Sequence, residues 1–126
     1  MDFHVIYAYS RADALRDGVL VDVTAHAAEL GFVSHTAISQ TVWNMIENIP
    51  ARFSHEDVEG RKHDVLWMAL LAARRAGDKS RLKFEVILHT ADEPEDSPRH
   101  VKTLILDAGP GDNHELVITI GVDDDF

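Results

Sequence analysis

The 126-residue chain contains no cysteine, which excludes disulfide bonds and metal sites built on thiolates. Its first residues include neither a basic segment nor a long apolar one, so no secretory signal is visible and we expect a cytoplasmic protein. The longest apolar run, residues 65–73, is about half of the roughly 20 residues that a membrane-spanning helix needs. What remains is a composition typical of globular proteins, 45% hydrophobic and 27% charged, at a length that predicts a single domain over residues 1–126.

Basic residues are scarce. Twelve Lys and Arg stand against 22 Asp and Glu, and the formal charge is −10. Seven of the twelve lie in residues 61–83, so the rest of the chain is even more acidic than the total indicates. This balance argues against direct nucleic-acid binding, which needs several cations per site. It favours a protein partner with a basic surface, although acidity is also the commonest way for a protein to stay in solution.

Residues 63–76 are the stretch around which the chain is organised. Strong helix formers dominate, Arg74 and Arg75 fall in the last turn, and Gly77 follows as a stop. Because the segment is apolar nearly all round, it predicts a central helix covered by other elements. Trp67 is then expected to be a buried packing anchor.

The elements before this helix follow from apolar spacing and from capping residues. In chain order they are a strand at 3–9, a helix at 11–16 capped by Ser10, a strand at 19–23, a helix at 25–30, a helix at 37–49 capped by Thr36 and ended by Pro50, and a charged connection at 51–63. After Gly77 the period changes to two, with Leu82, Phe84, Val86 and Leu88 on one face of a strand.

Two further strands are predicted at 101–106 and 116–120, joined by short connections. The chain therefore predicts an α+β domain in which a C-terminal three-stranded antiparallel meander packs on the central apolar helix, with short N-terminal strands and helices beside it.

Several blocks of the chain are familiar, namely residues 5–23, 64–69, 72–77 and 109–112. Together they resemble a family of short bacterial proteins known as a domain of unknown function, common on plasmids, integrative elements and phages. The resemblance implies no catalytic residue. It implies an accessory role for a mobile genetic element, such as antagonism of host defence.

The acidic loop at 91–98 and the acidic C-terminal residues predict a partner-binding face, provided that the loops converge. Its residues are Asp92, Glu93, Glu95, Asp96, Asp112, Asp123, Asp124 and Asp125. The leading hypothesis is a non-enzymatic acidic binding protein of a mobile element, which engages a host or element-encoded protein as an inhibitor of a defence complex of the anti-CRISPR or anti-restriction type. No catalytic residue, cofactor, metal or membrane contact is expected under it.

An alternative is a small enzyme or metal-dependent protein that uses a histidine and carboxylate cluster, His55, Glu59, His63 and Asp64. The spacing of four between the first three would align them on a helix as metal ligands, but Gly60 and the Arg61-Lys62 pair oppose this. A third hypothesis is a homodimer through exposed strand edges.

Overall fold

The computed structural model describes residues 9–126. Its helices are α1 (Arg11–Arg16), α2 (Thr24–Leu30), α3 (Gln40–Glu47) and α4 (Val58–Ala76). Its strands are β1 (Leu20–Asp22), β2 (His35–Ser39), β3 (Arg81–Ile87), β4 (Val101–Pro110) and β5 (Leu116–Gly121). Short 3-10 turns cover Ala51–Phe53, Pro98–His100 and Asp123–Asp125. The strand predicted at 3–9 lies outside the described residues except for Tyr9.

The strands form one mixed sheet in the order β1-β2-β5-β4-β3. Strands β3, β4 and β5 are antiparallel neighbours in succession, so the predicted C-terminal meander is confirmed. Strand β5 also pairs in parallel with β2, and β1 pairs with β2 in the antiparallel direction. The α+β fold is therefore as predicted, and the N-terminal strands extend the same sheet.

The core lies between α4 and one face of this sheet. Val65, Leu66 and Ala69 of α4 are fully buried, and Phe84 and Leu104 are among the strand residues buried in the same cluster. The two-residue period of β3 is clear, because residues 82, 84 and 86 are buried while residues 81, 83, 85 and 87 are exposed. This packing positions α4 along β3 at one edge of the sheet.

The predicted burial of the central helix is only half correct. Its apolar sequence predicts cover on all sides, yet Trp67 is 40% and Met68 37% exposed. The reason is that β3, next to α4, is the outermost strand among residues 9–126, so one flank of the helix extends to the edge of the sheet. Trp67, predicted to be a packing anchor on a covered helix, therefore keeps part of its side chain in solvent.

The helix also begins earlier than its sequence predicts. The Asp57 side chain accepts a hydrogen bond from the Gly60 backbone N–H at 2.6 Å and caps α4 at Val58. The prediction of a charged connection through residue 63 is wrong from Val58 onward. Within residues 9–126 no helix has the length and apolar character needed to cross a membrane.

A third correction concerns the helix predicted at 37–49 with Thr36 as its cap. Residues 35–39 form β2, and the helix starts only at Gln40. Ser39 ends the strand and caps α3, its hydroxyl accepting a hydrogen bond from the Val42 N–H at 3.2 Å. Strand β2 is buried on both faces, which hides the alternation that normally identifies a strand.

Candidate functional site

The connection from β3 to β4, residues 88–100, carries the first group of predicted acidic residues and is held in place from inside. His100 is buried beneath it and donates from Nε2 to the Pro94 carbonyl oxygen at 3.0 Å. Its ring packs edge-on against Phe53 at 5.3 Å between centroids. These contacts fix the position of the loop backbone, and hence of the carboxylates that it displays.

Glu93 belongs to this internal support. Its carboxylate accepts hydrogen bonds from the Ser97 hydroxyl and from Arg99 Nη1, the latter at 2.7 Å. The hydrogen bond from Ser97, reinforced by the charge of Arg99, holds the pKa of Glu93 below its ordinary value. Glu93 is thus a residue that shapes the loop and remains ionised.

The other three loop acids point into solvent. Asp92 pairs with Arg52 at 3.0 Å, and its side chain is 78% exposed. Glu95 and Asp96 are exposed, and among the described residues neither has an ion-pair partner. The loop therefore displays Asp92, Glu95 and Asp96 as exposed acidic side chains, and we call residues 91–98 the acidic loop.

The remaining predicted acids do not lie beside the acidic loop. Asp123 and Asp124 follow β5, whose last residue, Gly121, pairs with Ile105 in the middle of β4, and the Asp123 carboxylate lies 3.9 Å from Lys83 near the start of β3. Asp112 is in the β4–β5 turn, at the end of the sheet opposite to the acidic loop. The meander therefore does not bring all eight residues together.

Asp112 and Asp125 are engaged within the chain. Asp112 accepts hydrogen bonds from the backbone N–H groups of Ala12 and Arg11, at 3.0 and 2.8 Å, and these bonds lower its pKa. Asp125 accepts from the Ser39 hydroxyl at 2.7 Å and the Thr41 hydroxyl at 3.0 Å. Both carboxylates serve as capping groups for local structure.

A groove of about 450 Å³ runs along the outer side of α4 and β3, beside the base of the acidic loop. Its lining is mostly apolar and comes from Trp67, Met68, Val86, Ile87 and Val101, with Asp64 and Glu85 as the charged groups. Ile87 is 59% and Val101 43% exposed. The groove thus combines apolar surface with two carboxylates on the sheet edge.

A model described as a family of unknown function, DUF6573, matches residues 2–125. The chain belongs to this family. No curated protein and no solved structure matches it. The predicted resemblance to a domain of unknown function is confirmed.

The histidine and carboxylate cluster of the alternative hypothesis is separated in this DUF6573 chain. Glu59 and His63 lie one turn apart on α4, but His55 precedes the helix and contacts Phe53. Asp64 faces the groove. His63 instead meets His26 of α2, with His63 Nδ1 and His26 Nε2 3.3 Å apart. Among residues 9–126 no group of three or more His, Asp or Glu side chains is arranged to hold a metal ion.

Sequence reasoning did not identify the internal support of the acidic loop. Arg61 of α4 is 3% exposed and donates to the carbonyl oxygens of Met45, Ile46 and His89. It also pairs with Glu56 at 2.9 Å, and the other Glu56 oxygen lies 2.8 Å from His89 Nδ1. This network joins the end of α3 to the start of the β3–β4 connection.

The groove was also missed, although one signal for it is in the sequence. Ile87 is the only apolar residue on the otherwise charged face of β3, where it follows Arg81, Lys83 and Glu85. An isolated exposed isoleucine needs no explanation by itself. Ile87 becomes part of a groove only because the fold places Trp67 and Val101 next to it.

Proposed function

We propose that this protein is a non-enzymatic binding protein that engages a basic surface of a partner protein through the acidic loop. The observation that carries the proposal is the internal support of that loop. Buried His100 bonds to Pro94, and Glu93 bonds to Ser97 and Arg99, while Asp92, Glu95 and Asp96 face outward. A preformed display of charge loses less conformational entropy on binding than a mobile one.

In its specific form, the proposal is that the partner belongs to a nucleic-acid-guided or restriction defence complex and that the protein acts in the cytoplasm on behalf of a mobile genetic element. Such complexes carry basic surfaces that hold nucleic acid, and an acidic protein competes for these surfaces by electrostatic complementarity. The net charge of −10 and the family resemblance of residues 5–23, 64–69, 72–77 and 109–112 support this form.

The test is an affinity pull-down from host lysate at about 0.05 M and about 0.5 M NaCl, read by mass spectrometry, since salt screens exposed charges. The variant Asp92→Asn/Glu95→Gln/Asp96→Asn leaves Glu93 and its hydrogen bonds intact. We expect it to bind the captured partner about tenfold more weakly. A matched control, Glu29→Gln/Glu47→Gln/Asp78→Asn, changes the net charge equally at exposed positions outside the loop.

Binding that is indifferent to salt, or equally weakened in both triple variants, would contradict the acidic loop as the binding site. A lysate from which no partner is captured at either salt concentration would also contradict the proposal.

A further inference from the structure

Strand β3 has an outer edge with which no strand in residues 9–126 pairs. Its inner side is bonded to β4, as the hydrogen bonds from Leu88 N–H to His100 and from Ala108 N–H to Ser80 show at the two ends. Because backbone groups alternate in direction along an antiparallel strand, the even-numbered residues bond to β4. The N–H and C=O groups of Arg81, Lys83, Glu85 and Ile87 therefore point to the open edge, which is a template for another strand.

The groove beside this edge has opposite charges at its two ends. One part of it contains Asp64 and Glu85 together with the apolar lining. Farther along the same seam of α4 and β3, the cleft is lined by Met68, Phe84, Lys83, Arg75 and again Glu85. Asp64 therefore lies at one end, Arg75 and Lys83 lie at the other, and Glu85 and Met68 lie between them. A surface of this kind is complementary to itself after a half-turn about its middle.

We propose that the occupant of this edge is a second copy of the chain, paired antiparallel through β3 about a two-fold axis at Phe84. In this register Lys83 lies directly opposite Glu85 of the second copy, and Glu85 opposite its Lys83. All of these residues have backbone groups that point outward, so the main-chain hydrogen bonds form together with the charge pairs. The five-stranded sheet continues into that of the second copy.

The charges select this register over its neighbours. An axis at Lys83 places two lysines opposite each other, and an axis at Glu85 places two glutamates opposite each other. Like charges in directly opposed positions are destabilising. In a register shifted by one residue, the backbone groups that point outward in one copy lie opposite residues whose backbone groups point inward in the other. The hydrogen bonds between the two strands are then lost.

The same axis also aligns the helices. Met68 lines the cleft beside Phe84, so it lies near the axis, and α4 runs antiparallel to β3 along the edge. Asp64 at one end of the groove then approaches the end of the second copy's groove that carries Arg75. Met68, Trp67 and Ile87, which are exposed in one chain, are covered in the pair.

The test is sedimentation velocity of the full chain over a concentration series. Wild type is expected at twice the chain mass of 14.1 kDa. Lys83→Glu and Glu85→Lys each place like charges at both copies of the central pair, and each is expected to raise the dissociation constant about tenfold or more. Lys83 also lies 3.9 Å from Asp123 of its own chain, whereas Glu85 has no ion pair among the described residues. If both variants raise the dissociation constant, the cause is the contact at the strand edge and not the loss of the Lys83–Asp123 pair.

The decisive sample is an equimolar mixture of the two single variants. In the mixture, the glutamate introduced by Lys83→Glu faces the lysine introduced by Glu85→Lys, and the unchanged Glu85 of the first variant faces the unchanged Lys83 of the second. The mixture is therefore expected to form a dimer while each variant alone is monomeric. The double variant Lys83→Glu/Glu85→Lys is expected to dimerise by itself. Circular dichroism melts confirm that all variants are folded.

A wild-type chain that remains monomeric at the highest concentration overturns the proposal. A dimer that survives both single reversals, or a mixture that stays monomeric, also overturns it. The acidic-loop variant Asp92→Asn/Glu95→Gln/Asp96→Asn is expected to dimerise normally, so the partner-binding proposal and the self-pairing proposal fail separately.

Discussion

Arg61 shows how one residue determines where the acidic loop lies. Its guanidinium group is almost completely buried, yet each of its three nitrogen atoms has an acceptor, which is the condition under which a buried cation is tolerated. Three of those acceptors are backbone carbonyl oxygens, and the fourth is the Glu56 carboxylate. Arg61 thus neutralises Glu56 and at the same time ties α3 to the base of the acidic loop.

This arrangement predicts a pH dependence of folding. Burial alone would raise the pKa of Glu56, but hydrogen bonds from Arg61 and His89 outweigh burial and hold the pKa below its ordinary value. Because the folded pKa is below the unfolded one, the contribution of Glu56 is complete above about pH 4.5 and is lost as the pH falls through the folded pKa. Glu56→Gln should lower the free energy of unfolding by about 1–3 kcal/mol at pH 7.

The measurement is urea denaturation of wild type and Glu56→Gln from pH 7 to pH 3. The difference in unfolding free energy between them should narrow as the pH falls, since wild-type Glu56 becomes protonated and loses its advantage. The exposed Glu29→Gln serves as a control and should follow wild type. A difference that stays constant over the whole range would contradict the role assigned to the ionised carboxylate.

At the scale of elements, Ser39 is the junction of β2 and α3. Its hydroxyl accepts from the Val42 N–H and donates to Asp125, so one side chain ends a strand, starts a helix and holds the C-terminal turn. Ser39→Ala should lower the free energy of unfolding by about 1–2 kcal/mol, the usual cost of losing a helix N-cap.

The matched control is Thr41→Ala, which removes a hydroxyl bonded to the same Asp125 without removing a cap. Both variants can be compared by chemical denaturation. A loss for Ser39→Ala no larger than that for Thr41→Ala would show that the cap contributes little, and that the contact with Asp125 dominates.

The boundary at Ser39 also shows what the sequence does and does not encode locally. The meander was predictable because β3 has one buried and one exposed face, which produces strict alternation. Strand β2 was not, because Thr36, Ala37 and Ile38 are all buried, and an apolar strand covered on both faces joins smoothly to the helical stripe that follows. Only the fold supplies the second covering layer.

The candidate sites also contain some features that the sequence predicts and others that only the fold creates. The acidic residues are visible in the sequence as charge, but their separation in space follows from the pairing of the strands. The groove is formed by Trp67, Ile87 and Val101, which come from three different elements. No repeating pattern in the sequence indicates that these residues lie together. The sequence predicts Arg61 in a solvated connection, because its burial depends on carbonyl groups that α3 provides.

At the scale of the whole molecule, the interior strands of the sheet should be more stable than the strand at its β1 edge. Strand β2 is buried on both faces and flanked by β1 and β5, whereas β1 is a three-residue edge strand. Amide hydrogen exchange followed by NMR should therefore be slow for Ala37, whose N–H points to β5, and near the limit set by global unfolding. Val21 of β1 should exchange faster through local opening. Equal rates in the two strands would contradict this distribution.

The parallel pairing of β2 with β5 joins residues 35–38 to residues 117–120, which are far apart along the chain. During synthesis on the ribosome, β1 and β2 can form a hairpin early, and α4 with β3 and β4 can form later, but these parts remain two separate sheets. The strand that unites them is the last of the five to be translated. Until it emerges, both partial sheets have unpaired edges, so the nascent chain passes through an interval of exposure to chaperones and to aggregation that ends only when β5 inserts between them.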